Sequence, residues 1–182
     1  MKKNLLTLIL FVAVFINSQE TKAQSSLAEN IKAQLVKDWE RAKSYTDEYL
    51  AAMPADKYSA RAVDSIRSFS EQMLHLASGT IGLVANGTGA ERIFPGFNME
   101  KSAGAQSRDS VVYYVNASYD YAINSIKNMD ASKLDEHVKR GPYDETKLAW
   151  LMKAFEHQTH HRGQCTIYIR LQGIRPPAEK LL

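Results

Sequence analysis

The chain has a single cysteine, Cys165, among its 182 residues, so no internal disulfide framework can hold the fold. Its distance from the N-terminus also excludes a lipid-modified cysteine near a cleavage point. Proline is sparse and peripheral: Pro54, Pro95, Pro142, Pro176 and Pro177 all fall outside the segments of helical period. Neither sign of charge dominates, with 23 Lys and Arg against 20 Asp and Glu. No apolar run reaches the roughly 20 residues of a membrane-spanning helix. There is no internal repeat, low-complexity tract or linker to a second domain. Gly87-Thr88-Gly89 is not a dinucleotide fingerprint, because Arg92 stands at the third glycine position and no strand precedes it.

The longest apolar run, Leu5 to Ile16, is broken only by Thr7 and follows Lys2 and Lys3. With Thr21 and Ala23 before Gln24, it reads as a cleavable signal peptide over residues 1–23; an uncleaved N-terminal anchor is the alternative. Residues 24–182 would then be the mature domain, exported to the periplasm or secreted, with no remaining transmembrane span. Cleavage would remove three lysines and one glutamate and take the formal charge from +3 to +1. Without a basic stripe, no nucleic-acid partner is expected.

What remains reads as four amphipathic helices. Ser26 with Glu29 has capping-box spacing for the first, and Ile31, Leu35, Trp39, Ala42 and Tyr49 form its apolar seam. Ser68 with Glu71 opens the second, which carries Phe69, Met73, Leu76 and Leu83 and stops at Asn86-Gly87 and Gly89. The third spans about Ser107 to Met129 on a seam of Val112, Val115, Tyr119, Ala122, Ile126 and Met129. The fourth spans about Asp144 to Gln172 and ends at Gly173. No segment reads convincingly as a strand. The expected fold is an all-α four-helix bundle with longer crossover connections after helices two and three. The glycine-rich stretch from Asn86 to Gln106 is the first candidate functional loop.

One face of the fourth helix reads Trp150, Ala154, His157, His161, Gln164, Tyr168, Leu171, stepping by three and four. Two imidazoles occupy its middle, where leucine would be expected. Bare imidazoles in a core are costly, and a pair at i and i+4 projects from one face about a turn apart, close enough to share one ion. The bland alternative is a pair of hydrogen-bonded packing residues. His75 is the other histidine inside a helix, beside Gln72, Gly79 and Gly82, which leave room for an ion or substrate. Glu71, one turn earlier, is a candidate to orient His75, or else a first-turn acid at the helix terminus. His160 points to a neighbouring face, His137 sits in a charged loop, and Cys165 reads as a packing residue. The zincin motif fails, with Gln158 where the catalytic glutamate belongs.

These residues resemble the DinB/YfiT-like metalloproteins. His157 to Gln164 carries the His-x-x-x-His-Arg-Gly-Gln signature. Tyr58 to His75 matches the serine- and phenylalanine-rich helix start leading to a histidine, and Gly173-Ile174-Arg175-Pro176-Pro177 is similar to the family's end. The resemblance implies a four-helix bundle with a divalent ion on His75, His157 and His161. Nickel, zinc and iron are candidates, and three imidazoles do not choose among them. It also implies an open coordination position for water or a small-molecule ligand, and leaves a homodimer open. The expected function is that of a metal-dependent enzyme, thiol S-transferase-like or hydrolase-like, with Glu71 and Glu156 as candidates for proton transfer. The alternatives are a non-catalytic binding protein of the envelope and an ion that only staples the bundle.

Overall fold

In a computed structural model the backbone is described for residues 2–182 and the side chains for residues 24–182. The expected signal peptide lies in residues 1–23, outside the described side chains. Four helices account for most of the chain: α1 (Lys2–Ala52), α2 (Phe69–Thr88), α3 (Arg108–Asn128) and α4 (Lys147–Leu171). A two-stranded antiparallel hairpin, β1 (His137–Arg140) and β2 (Tyr143–Thr146), precedes α4. Among the described residues no helix is long and apolar enough to cross a membrane.

Local chemistry sets the helix boundaries. The Ser68 side chain accepts from the Glu71 N–H while Glu71 reaches back to the Ser68 N–H, a complete capping box at the start of α2. Gly89, at φ 78°, closes that helix in a left-handed conformation that side chains disfavour. Ser107 caps α3, and Thr146 caps α4 by accepting from the Ala149 N–H. The first helix departs from expectation: Ser26 is not a start, because α1 runs through it without a break. Neither glycine nor proline interrupts the chain before Pro54.

The hairpin is the other departure. Its strands are four residues each, largely charged, and pair His137 with Thr146 through Arg140 with Tyr143. Gly141, at φ 58°, makes the turn. The Trp150 indole N–H donates to Val138 O at 3.0 Å and ties the hairpin to α4. The hairpin therefore takes up residues expected to begin α4, and Thr146 replaces Asp144 as the entry.

α2 packs against both α3 and α4, and α1 completes the bundle against the same two helices. Helices consecutive in sequence are thus not always neighbours: α1 and α2 face each other across the diagonal, as do α3 and α4. The segments 53–68 and 129–146 make those crossings, while the long connection after α2 joins the neighbours α2 and α3. Trp39, Tyr119, Phe69, Met73, Leu76, Ile126, Leu151 and Ile169 fill the centre. The seams expected on α1 and α3 are largely the ones buried. On α4 the buried face keeps Trp150, Ala154, His161 and Tyr168 of the expected seam and adds Leu151, Gln158, Arg162, Cys165 and Ile169 to one side of it, so the core face is shifted and Gln164 and Leu171 are exposed.

Candidate metal centre

The offset on α4 leaves His157 half-buried at the edge of the core, facing α2 together with His161. α2 supplies His75 to the same place. The ring centroids of His75 lie 5.2 Å from His157 and 4.5 Å from His161, and those of the α4 pair lie 4.4 Å apart. One ligand nitrogen from each of the three falls within 4.8 Å of the others. Gly79, one turn beyond His75, makes this approach feasible. A Cβ there would sit 2.1 Å from Cε1 of His157, so the ring occupies the space a side chain would take.

Two of the three rings are held in the neutral form. Burial, followed by the neighbouring His75, holds His157 down to about 4. Burial, followed by His157 and His75, does the same to His161, also about 4. Both imidazoles are neutral at pH 7 and keep a lone pair. Nδ1 of His157 is buried and has no hydrogen-bond partner among the described residues, an orphan that an ion would satisfy. A partly buried cluster of three imidazoles, two of them held neutral, fits a divalent metal ion.

The carboxylate that meets His75 is Glu100, not Glu71. The Nδ1–H of His75 donates to Glu100 Oε1 at 2.7 Å, and Arg67 Nε donates to Glu100 Oε2 at 2.9 Å. Burial alone would push the Glu100 carboxyl up. The bonds from His75 and Arg67 outweigh it and leave the pKa lowered. Glu71 is engaged elsewhere, in the capping box and with Arg61 at 2.8 Å. Glu156 is exposed, next to His157 in sequence but about 100° around the helix. His160 is exposed beside Gln164, His137 pairs with Asp144 at the surface, and Cys165 is buried.

Two features lay beyond sequence reasoning. Glu100 comes from the glycine-rich loop that already stood out, but a contact 25 residues from His75 has no periodic signature. The second is a buried polar knot behind the α4 histidines. Gln158 Oε1 accepts from Tyr119 Oη and from an Arg162 guanidinium nitrogen, each at 2.8 Å. The Arg162 guanidinium lies 4.6 Å over the Tyr45 ring. These bonds tie α4 to α3 and α1 immediately behind the cluster, a rigid backing for the ligand face. Beside the cluster opens a cleft of about 810 Å³ whose lining includes Gln72, Glu100, Gln164, Arg61 and Arg67.

The low values of His157 and His161 predict an acid-sensitive metal-free fold. The unfolded chain binds protons at these rings below pH 6.5, while the folded protein resists until about 4. Their contribution is therefore fully present above pH 6.5 and is lost as the pH falls toward 4. Urea melts of chelated protein at pH 7.5 and 4.5 should show a clear drop. In the His157→Ala/His161→Ala double variant most of that drop should vanish; an unchanged drop would place the protons elsewhere.

A bundle with crossover connections, whose second and fourth helices bring three imidazoles together, defines the class as helical-bundle proteins with a histidine site suited to a metal ion. Within that class the sequence profile described as the DinB family matches residues 19–182, and the chain belongs to the DinB family. Its fold is similar to the crystal structure of a DinB-like protein from Bacillus cereus ATCC 10987, with TM-score 0.69 and 18% identity over 80% of this chain and 95% of that one. It is also similar to the DinB-like protein YjoA from Bacillus subtilis, with TM-score 0.64 and 20% identity over 80% of this chain and 96% of that one. At these identities the likeness speaks for the fold. A comparison with curated proteins finds no match.

Proposed function

We propose that this DinB-family protein holds one divalent metal ion on His75, His157 and His161 and uses it as an enzyme on a small molecule. The observation that carries the proposal is the convergence of three ligand nitrogens to within 4.8 Å, two of them on rings held neutral at pH 7. Four-coordinate ions on three protein ligands keep a position for water or substrate. Such an ion supplies Lewis-acid activation of bound water or of a thiol.

The chain's own residues supply the rest. Glu100 fixes the His75 ring by accepting its Nδ1–H, which leaves Nε2 free. Glu100 is also the carboxylate nearest in role to a proton acceptor, since it borders both cluster and cleft. The cleft is lined by amides and by charges of both signs, which suits a polar small molecule rather than nucleic acid. The leader-like N-terminus supports placing this activity in the periplasm or outside the cell.

Elemental analysis of the purified protein tests the site. About one equivalent of metal is expected in the wild type and in His137→Ala, whose ring pairs with Asp144 on the hairpin away from the cluster, and almost none in His157→Ala. Equal metal in the wild type and His157→Ala would sink the trio. Loaded protein is then screened with small thiols plus electrophiles and with ester and amide substrates. Turnover lost in His157→Ala but kept in His137→Ala supports an enzyme; tight metal retention without turnover would overturn it in favour of a binding protein.

A further inference from the structure

His75 and His161 enter the cluster with their other ring nitrogens held in opposite ways. Nδ1 of His75 meets a carboxylate, which only accepts, so Nδ1 donates and Nε2 is the nitrogen left to face the cluster. Nδ1 of His161 lies 2.7 Å from the amide nitrogen of Gln72, which only donates. Nδ1 therefore accepts, and the proton of the neutral ring sits on Nε2. In that state neither nitrogen of His161 offers an ion a lone pair.

Gln72 is almost fully buried, and its amide nitrogen is committed twice. Its second bond runs to Oε1 of Gln164. Gln164 in turn donates from Nε2 to Nε2 of the exposed His160 at 2.9 Å. The bonds all point one way, from the amides outward to the two rings. They can also all point the other way. If both amides turn by half a revolution, Gln72 Oε1 accepts from His161 Nδ1–H and from the Gln164 amide, and Gln164 Oε1 accepts from His160 Nε2–H. Turning one amide alone fails, because it sets two oxygens or two NH₂ groups face to face.

From this arrangement we infer that Gln72 and Gln164 are positioning residues, a two-amide relay that decides which nitrogen of His161 carries its proton and that reverses when metal binds. The inference rests on the metal-binding reading above. On reversal the His161 proton leaves Nε2 and Nδ1 gains one. On His160 the proton moves from Nδ1 to Nε2. Both exchanges pass through solvent, and the net proton count does not change. The metal-free direction leaves the cluster one ligand short, and the reversed direction completes it.

Two chemically identical substitutions separate this relay from a general charge effect. A carboxylate only accepts, so Gln72→Glu holds His161 in the ligating tautomer. Gln164→Glu instead keeps Gln72 donating and holds the metal-free direction. Zn²⁺ affinity of the full chain is read by competition with a chelator. Gln72→Glu is expected to bind as tightly as wild type or tighter. Gln164→Glu is expected to bind about tenfold or more weakly, in the range seen when a partner behind a ligand is lost. Added negative charge alone would tighten both, and damaged packing would weaken both; either same-sign result overturns the relay. Ring ¹⁵N shifts of His161 give a second readout, with Nε2–H expected without metal and Nδ1–H with Zn²⁺. One tautomer in both states would also overturn it. Wild type that binds no Zn²⁺, or binds it equally after His157→Ala, sinks the metal reading and the coupling together. A same-sign result in the glutamate pair leaves the metal reading standing.

Discussion

Gly79→Ala is expected to remove metal binding while leaving the bundle folded and slightly more stable. The added Cβ would lie 2.1 Å from Cε1, 2.5 Å from Nε2 and 2.7 Å from Nδ1 of His157. Those atoms are the far end of a side chain that can rotate about two bonds. The backbones of α2 and α4 are held by extensive packing against each other, so the ring gives way rather than the helices. Once turned aside, the ring no longer reaches His75 and His161. Affinity for Zn²⁺ should then fall by more than about a hundredfold, beyond the 10- to 100-fold usual for losing a partner behind a ligand. The metal-free protein should gain about 0.5–1 kcal/mol, because glycine inside a helix costs that much relative to alanine. A Zn²⁺ titration and a thermal melt of chelated protein check both halves. Wild-type affinity in this variant would show that Gly79 does not seat the His157 ring.

The same glycine shows how far the sequence could be read. Its smallness beside His75 suggested room for an ion, but not that an imidazole from another helix fills that room. Helix starts are legible at Ser68 and Ser107, where a short polar side chain bonds its own turn, whereas α4 is capped by Thr146 and not opened at Asp144 as expected. Ser26 carries the same spacing and caps nothing, because capping chemistry marks a start only where something ends the preceding structure. The hairpin was hidden by its length and charge, since four-residue strands such as His137–Arg140 have no room for alternation. On α4 the histidine pair was visible from its period, yet the core stripe beside it was not. Gln158 and Arg162 are buried there by partners on α1 and α3, and a hydrophobicity pattern counts both as solvent-facing. Glu100 and Gln72 act on the histidines through contacts between distant segments, which only the folded chain brings together.

Trp39→Ala should do the reverse of Gly79→Ala and destabilise the fold while sparing the site. Trp39 is fully buried on α1, edge-on to Tyr119 at 5.7 Å and to Phe155 at 5.5 Å, where it joins α1 to α3 and α4. Truncation of so large a buried ring costs about 3–5 kcal/mol. In a protein of this size that corresponds to a fall in Tm of about 6–20 °C. The indole N–H is buried and has no hydrogen-bond partner among the described residues. Part of the native packing energy is thus spent on an unpaired donor. Trp39→Phe removes that donor and keeps an aromatic ring, so it should cost less than half as much as Trp39→Ala. None of the three clustered histidines lies on α1, so both variants should bind Zn²⁺ normally well below their melting temperatures. Thermal melts beside metal analysis at 10 °C decide the matter. A Tm within about 2 °C of wild type in Trp39→Ala would deny Trp39 its central place in the core. Loss of metal from folded Trp39→Ala would instead show that α1 holds the α4 histidines in place, through Thr46, Arg162 and Gln158.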